Sequence, residues 1–361
     1  MDVRKSVQSV VTVGRVLALI LAVFSAFTYV VSLVLGPVLF YSTSDGLAVA
    51  ARHIHQLPVD IFMALELPIP LGTNLGVLFA VIWTLFVICL VLAAIARRGF
   101  LTAVKEGLSK PISVAKTNFL YVMPLVATGL LYATILISQF QEAQGVQTGS
   151  LNFPPKTSPY LILINLAFAP LNEEFAFRIT TIGVPFALFL LISYRSDPKL
   201  TGLKNRVVLF LLAVFSPELA KSRMGHKTVA TNGFIRGISP LEWALILVSS
   251  VVFGAAHYLL GGGWEIGKVS TAFLAGFVFA IMYVSYGAYA DILLHWFFNY
   301  YFTILDMAST AYSTLAGFVN VVELANLVAG QVVLVLFLLI SALRLADYFT
   351  ARVAGIPSTP G

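Results

Sequence analysis

The chain has 361 residues, of which 59% are hydrophobic and 11% are charged, and its mean hydropathy is +0.93. A soluble domain is about 45–50% apolar and about 25% charged, so this composition excludes an ordinary soluble protein and predicts a polytopic membrane protein. We interpret the formal net charge of +6 as basic cytoplasmic loops facing anionic lipid, not as a nucleic-acid interface. The apolar stretches are continuous rather than alternating, which predicts an all-α membrane helix bundle and not a barrel.

Eight apolar stretches are long enough to cross a hydrocarbon core of about 30 Å. In chain order, they lie near residues 16–41, 71–95, 118–140, 159–194, 241–258, 269–287, 289–306 and 322–345. Most basic residues fall in alternate loops and at the two ends, and the opposite loops hold only Arg52, Lys156 and Lys268. The positive-inside rule therefore predicts a multi-pass protein of the cell membrane with both termini in the cytoplasm.

The polar residues divide the chain into three parts. Residues 1–158 contain three spans with almost no charge inside them, and we interpret them as scaffold. Residues 159–306 carry ionisable groups within predicted spans and form the predicted core, and residues 307–361 supply the last helix and the tail. A cytoplasmic segment contains an apolar stretch, residues 207–215, that is too short to span and is expected to lie at the interface.

Helix signals locate the core segments more closely. Ser158 before Pro159 is typical of a helix start, and Ser239 with Glu242 predicts a capping box. Pro170 is expected to interrupt the fourth span, with Asn172 capping a new helix whose first turn contains Glu173. Irregular backbone at membrane depth is tolerated where it lines a cavity, so a break here favours a functional site.

The first polar group of the core is Glu173, Glu174 and Arg178. Glu174 and Arg178 are four residues apart and are expected to pair along one helix face. Glu173 then points about 100° away and is free to act as a general base or acid. Taken alone, the motif is more typical of a charged cluster that packs helices together.

The second and third polar groups are His257, and His295 with Asn299. Imidazole accepts and passes protons near neutral pH and also binds metals. His295 and Asn299 are four residues apart on one face, where an amide and an imidazole can donate to a developing oxyanion. Each group alone is also typical of interhelical hydrogen bonding, but a single shared site accounts for all three.

Depth in the membrane raises an objection to a single site. His257 falls near the outer end of its span and His295 near the cytoplasmic start of its own, a mismatch of about 10 Å at 1.5 Å per residue. Helix tilt, or a helix that begins outside the membrane at Ser239, would bring them level. Asp291 and Asp306 lie near span ends, where they are expected to be hydrated.

In this order on successive segments, Glu-Glu-x-x-x-Arg, Phe-x-x-x-His and His-x-x-x-Asn resemble the motifs of the CAAX protease and bacteriocin-processing (CPBP) family, which includes the type II CAAX prenyl endopeptidases. The resemblance covers roughly residues 159–306. It implies an intramembrane endopeptidase in which Glu173 and His257 activate a water molecule. It also implies that His295 and Asn299 stabilise the oxyanion and that Glu174 and Arg178 support them.

Two questions stay open at the level of sequence. The family is often described as metalloproteases, and Glu173, His257 and His295 are candidate zinc ligands, but a carboxylate-activated water without metal fits equally well. The expected partners are the lipid bilayer and a membrane-embedded or lipidated peptide, prenylated or not. The alternatives are a non-enzymatic maturation, immunity or peptide-binding factor and, with no inverted repeat evident, a proton-coupled transporter.

Overall fold

The computed structural model describes residues 3–63, 65–110, 113–260 and 262–353, and the rest of the predicted C-terminal tail lies outside these residues. The described residues form a helix bundle with a two-stranded antiparallel hairpin near the N-terminal end. The elements before the predicted core are α1 (Val3–Ser42), α2 (Ser44–Ala50), β1 (His53–Ile61), β2 (Leu65–Asn74), α3 (Leu75–Ile95), α4 (Phe100–Ser109) and α5 (Phe119–Ala143).

The predicted core and the C-terminal helix follow. They comprise α6 (Pro159–Glu174), a π-helical segment (Phe175–Gly183), α7 (Val184–Ser193), a 3₁₀ turn (Pro198–Leu200), α8 (Leu203–Phe215), α9 (Pro217–Met224), α10 (Val229–Gly237), α11 (Pro240–Leu259), α12 (Lys268–Tyr286), α13 (Ala288–Trp296), a second π-helical segment (Phe297–Tyr301), α14 (Phe302–Ala311), a 3₁₀ turn (Ser313–Leu315) and α15 (Ala316–Val353). Helices dominate throughout, which confirms the predicted all-α class.

Seven helical segments of the described chain are long and apolar enough to cross a membrane, and each coincides with a predicted span. The eighth predicted span, residues 289–306, is continuously helical from Ala288 to Ala311 but is not among the seven. This segment carries Asp291, His295, Asn299, Thr303 and Asp306, and most of its first half is buried inside the bundle. The seven are Val11–Ser42, Leu75–Ile95, Phe119–Ala143, Pro159–Ser193, Pro240–Leu259, Lys268–Tyr286 and Ser313–Ala346.

The hairpin lies where the sequence predicted a loop before the second span. The span was expected from residue 71, but α3 begins only at Leu75, after the side chain of Asn74 caps its first turn by accepting from the Val77 N–H at 2.9 Å. In the hairpin register, Pro58 faces Pro68. Neither proline has an N–H to donate, so the two strands form no hydrogen bonds at this pair. The backbone groups of such a pair point away from the partner strand.

Aromatic packing joins the N-terminal helices to the core. Trp296 is fully buried, and its ring lies 5.6 Å from the ring of Tyr29 on α1 and 5.8 Å from that of Tyr300. The hydroxyl of Tyr301 also donates to Thr28 Oγ1 at 2.7 Å, again on α1. The predicted scaffold therefore supports the back of the helix that carries His295, although the three-part division itself stays a prediction.

A buried ion network fixes the start of α11. The capping box of Ser239 and Glu242 is present, as predicted. Glu242 also pairs with Lys221 of α9 at 2.9 Å, and Lys221 lies 3.7 Å from Glu218. Since all three charges are buried and paired, α9 and α11 are held together at the end of α11 that lies away from His257.

Candidate active site

The helix that carries the paired glutamates departs from the expected geometry. The chain was predicted to break at Pro170 and to be recapped by Asn172, and this is wrong because α6 continues through both residues. The irregularity appears one turn later instead, as a π-helical segment that starts directly after Glu174. Short π-helical insertions occur frequently at functional sites, since they change the direction in which side chains leave a helix.

Glu174 and Arg178 form a completely buried ion pair, as their spacing predicted. Arg178 Nη1 lies 3.1 Å from Glu174 Oε1, and both side chains are 0% exposed. The other terminal nitrogen of Arg178 donates to the carbonyl oxygen of Gly276 at 3.1 Å, and the guanidinium lies 4.4 Å from the ring centroid of Phe253. A side chain at position 276 would meet both neighbours, which explains why α12 has glycine there.

His295 links the two glutamates. Its Nδ1 lies 2.7 Å from Glu174 Oε1, and its Nε2 lies 3.7 Å from Glu173 Oε2. Because a carboxylate only accepts, Nδ1 carries a hydrogen, and the second ring nitrogen faces Glu173 and Asn299 Nδ2, which lies 3.4 Å away. The Glu173 side chain is 27% exposed whereas that of Glu174 is 0% exposed, so of the two it is Glu173 that is accessible.

His257 lies within electrostatic range of Glu173 and His295, so the expected offset in depth does not separate it from them. The ring of Phe253, one turn before His257 on α11, lies 4.7 Å from the His257 ring and 6.1 Å from the His295 ring. His257 also interacts electrostatically with Glu173 and with His295. Its Nδ1 lies 2.8 Å from the carbonyl oxygen of Phe253 and therefore donates to it, which leaves the Nε2 lone pair free.

Asp291 belongs to this cluster, against the expectation that it would be hydrated near a span end. It is fully buried, its carboxyl group interacts with that of Glu174, and one oxygen of each lacks any other partner. We expect one proton to be held between the two carboxyl groups, because it would satisfy both oxygens. The signal was present in the sequence, because Asp291, His295 and Asn299 recur every four residues along one helix face.

The hairpin contacts the same helix, which sequence reasoning missed entirely. The Asp60 N–H donates to Asn172 Oδ1 at 2.9 Å, and Asn172 Nδ2 donates back to Asp60 Oδ2 at 2.7 Å. At the tip, the Met63 N–H donates to the carbonyl oxygen of Ala176 at 3.2 Å, inside the π-helical segment. The strand was hard to foresee because prolines within an apolar stretch argue against a strand.

The residues do not form a metal site. Within the described part of the chain, no three His, Cys, Asp or Glu side chains are grouped so that they could hold a metal ion. The predicted zinc ligands Glu173, His257 and His295 approach one another, but His295 directs Nδ1 at Glu174 and shares Nε2 with Asn299. We therefore derive no chemical step through a metal.

Together these groups place an accessible carboxylate and an imidazole lone pair beside buried hydrogen-bond donors. An acid–base pair next to donors that can receive a developing negative charge is the arrangement that hydrolysis of a carbonyl compound requires. The fold and the site thus define a polytopic membrane protein with a candidate hydrolytic centre between its helices.

Residues 155–301 match a family model described as type II CAAX prenyl endopeptidase Rce1-like. The matched segment contains all three motifs, so the predicted resemblance to the CAAX protease and bacteriocin-processing family, which includes CAAX-type intramembrane endopeptidases, is confirmed for residues 155–301. No curated protein and no solved structure gave a match.

Proposed function

We propose that the protein hydrolyses peptide bonds of membrane-associated substrates, including prenylated CAAX-type proteins, at a site reached laterally or from the cytoplasm. The observation that carries the proposal is the difference between two adjacent glutamates. Both Arg178 and His295 bind the Glu174 carboxylate, whereas Glu173 has a partly exposed side chain, lies next to His295 without a hydrogen bond to its buried Oε2, and interacts with His257.

In this proposal, Glu173 and His257 activate the attacking water molecule. A water molecule between the Glu173 carboxylate and the free Nε2 of His257 loses a proton to one of them as its oxygen attacks the peptide carbonyl carbon. His257 is oriented for this task by its Nδ1–H bond to the Phe253 carbonyl oxygen. That bond fixes the tautomer whose Nε2 is the acceptor.

In this proposal, Asn299 and His295 stabilise the oxyanion. As the carbonyl oxygen becomes negative, it accepts from Asn299 Nδ2 and from a protonated His295 Nε2.

Collapse of the tetrahedral intermediate completes the reaction. The carbonyl re-forms, the bond from carbon to nitrogen breaks, and the leaving nitrogen takes the proton that Glu173 or His257 removed from water. The water oxygen ends in the new carboxyl group, and the products are a carboxylic acid and an amine. Every proton transfer in this sequence uses a side chain of this protein, so the proposal is of the glutamate type.

The test is cleavage of a fluorogenic farnesylated CAAX peptide by the purified protein in liposomes. We expect Glu173→Gln and His257→Ala each to lower kcat by about 10²–10⁴-fold, which is the usual contribution of general acid–base catalysis. Glu265→Gln and His55→Ala alter exposed residues of the same types, and we expect them to retain full turnover. A chelator should leave the wild-type rate unchanged.

The same assay separates the proposal from its rivals. Turnover that survives in both site variants would contradict the proposed roles of Glu173 and His257. Chelator-sensitive turnover would show a metalloenzyme. Tight binding of the peptide by the wild-type protein without any product, across several peptide sequences, would favour the non-enzymatic peptide-binding factor, and coupled proton flux without cleavage would favour the transporter.

A further inference from the structure

Lys268 lies beside the candidate site and has no role in the chemistry above. It is the first residue of α12 and is half-buried, and its Nζ lies 3.9 Å from the ring centroid of Trp264. None of the ion pairs in the described part of the chain involves it. Removing a lysine partly from water without a carboxylate partner costs folding free energy. Such a lysine is expected to bind an anion.

The Lys268 charge acts on the site itself. Lys268 interacts electrostatically with Glu173 and with His257, the two groups proposed to activate water. Its position works against local stability, because a cation at the start of a helix opposes the helix dipole. Both observations indicate that the ammonium group is kept at the edge of the site for a reason other than folding.

The segment that carries Trp264 is held in place rather than free. Gly149 and Trp264 form an antiparallel bridge, the Ser150 N–H donates to the Gly263 carbonyl oxygen at 3.2 Å, and the Glu265 N–H donates to the Thr148 carbonyl oxygen at 3.1 Å. The indole and the ammonium group thus form a fixed pair beside the site, in which stacking on the aromatic face orients the lysine.

We propose that Lys268, stacked on Trp264, binds the free C-terminal carboxylate of the substrate. This inference rests on the proposed function. In a CAAX-type substrate the prenylated cysteine is followed by three residues and the chain end. If the bond after the cysteine is cleaved, an extended chain places the carboxylate about 10 Å from the reacting carbonyl, at about 3.3–3.6 Å per residue.

A cation beside the site serves two purposes. It selects chains that end shortly after the scissile bond, because an internal peptide segment has no carboxylate to offer. It also neutralises the substrate's negative charge next to Glu173, which would otherwise repel it, at a separation where charges are only partly screened. The specificity for a short C-terminal tail then comes from one side chain.

The test compares two ligands that differ only at the chain end. Both are farnesylated CAAX peptides in which a ketomethylene group replaces the scissile bond, one ending in a free acid and the other in an amide. We expect the wild-type protein to bind the acid at least tenfold more tightly, Lys268→Met to lose this preference, and Lys268→Arg to keep most of it. Lys156→Met, in an exposed loop at the same end of the bundle, is the control and should keep the preference.

Binding and turnover fail in different ways, so this inference and the proposed function are distinguishable. Equal binding of acid and amide by the wild-type protein, or a preference that survives in Lys268→Met, would overturn the carboxylate site even if cleavage occurs. An acid preference that depends on Lys268, together with no cleavage of the corresponding peptide, would support the carboxylate site and contradict the peptidase. The elution profile of each variant on size exclusion confirms folding.

Discussion

Two neighbouring glutamates in this protein have different environments, and the difference comes from a few ångströms of packing. Glu174 Oε1 accepts from Arg178 at 3.1 Å and from His295 at 2.7 Å, so its charge is fully engaged in the interior. Glu173, the previous residue, leaves the helix in another direction, and its side chain stays partly exposed. A positioning residue and a proposed catalytic residue thus follow each other directly in the chain.

The first prediction at this scale concerns Glu174→Gln. Loss of the negative charge leaves the buried Arg178 without its carboxylate partner, which typically costs about 3–5 kcal/mol of stability. We expect a lower midpoint of thermal unfolding in detergent together with lost turnover. Glu265→Gln, an exposed change of the same type, provides the control. Unchanged stability would mean that the ion pair is not formed.

The second prediction concerns the proton between Asp291 and Glu174. An asparagine amide at position 291 can donate to the orphan oxygen of Glu174 just as a protonated carboxyl does, so Asp291→Asn should keep stability and turnover within a few-fold. Asp291→Leu removes the donor and leaves a buried acceptor unsatisfied, at a cost of about 1–3 kcal/mol. Equal unfolding midpoints and equal turnover of the two variants would contradict the prediction that Asp291 and Glu174 share a proton.

At the scale of elements, both helices that carry the buried cluster change to π-helical geometry beside it. One π-helical segment begins right after Glu174, and the other contains Asn299. In the first segment, the carbonyl oxygen of Ala176 accepts from Thr180, from Thr181 and from the Met63 N–H of the hairpin. The irregular turns thus supply the acceptor on which the hairpin tip is fixed.

The hydrogen bonds between the hairpin and Asn172 predict that Asn172 positions the neighbouring Glu173. Asn172→Ala removes both hydrogen bonds to Asp60 next to Glu173 and should lower kcat about tenfold while leaving KM nearly unchanged. Rescue by Asn172→Asp is not expected, because two carboxylates would then face each other. Asn165→Ala on the same helix removes an exposed amide and is the matched control. Steady-state kinetics that show equal effects at both positions would exclude a role of the hairpin in aligning the site.

Close packing of α11 on α12 yields another prediction. A Cβ at position 276 would lie 2.7 Å from Phe253 Cδ1 and 3.1 Å from Arg178 Nη2, so Gly276→Ala forces one of them to move. We expect a loss of about 1–3 kcal/mol in thermal stability, the usual cost of overpacking, with reduced turnover. Gly317→Ala, at a helical glycine with open space around it, should have neither effect. Equal unfolding midpoints for the two variants would contradict this packing.

At the scale of the whole molecule, the charge distribution predicts orientation. Lys156 lies in a loop predicted to be outside, and Lys204 lies in the segment predicted to be cytoplasmic. Cys89 is the single cysteine of the chain and is buried, so Cys89→Ser gives a background without thiols. In intact cells, a membrane-impermeant maleimide should label Lys156→Cys and spare Lys204→Cys, and the reverse pattern would invert the topology.

Much of the architecture was predictable because lipid imposes simple rules on sequence. Apolar length located seven spans, and the i, i+4 spacing of Glu174 and Arg178 gave their ion pair. The predictions that were wrong, or were not made, concern contacts between residues far apart in the chain. Nothing local places Asp60 against Asn172, and helix counting could not foresee that the Phe253 ring would lie near both His257 and His295. Asp291 was misjudged because distance from a span end was taken as a measure of hydration.

The role of Glu173 is tested by mass spectrometry of the products that the wild-type protein and Glu173→Gln form from an unlabelled farnesylated CAAX peptide in liposomes. The account predicts that the wild-type protein releases the C-terminal tripeptide and that Glu173→Gln binds the peptide but releases about 10²–10⁴-fold less. Tripeptide released at the wild-type rate by Glu173→Gln would contradict the account.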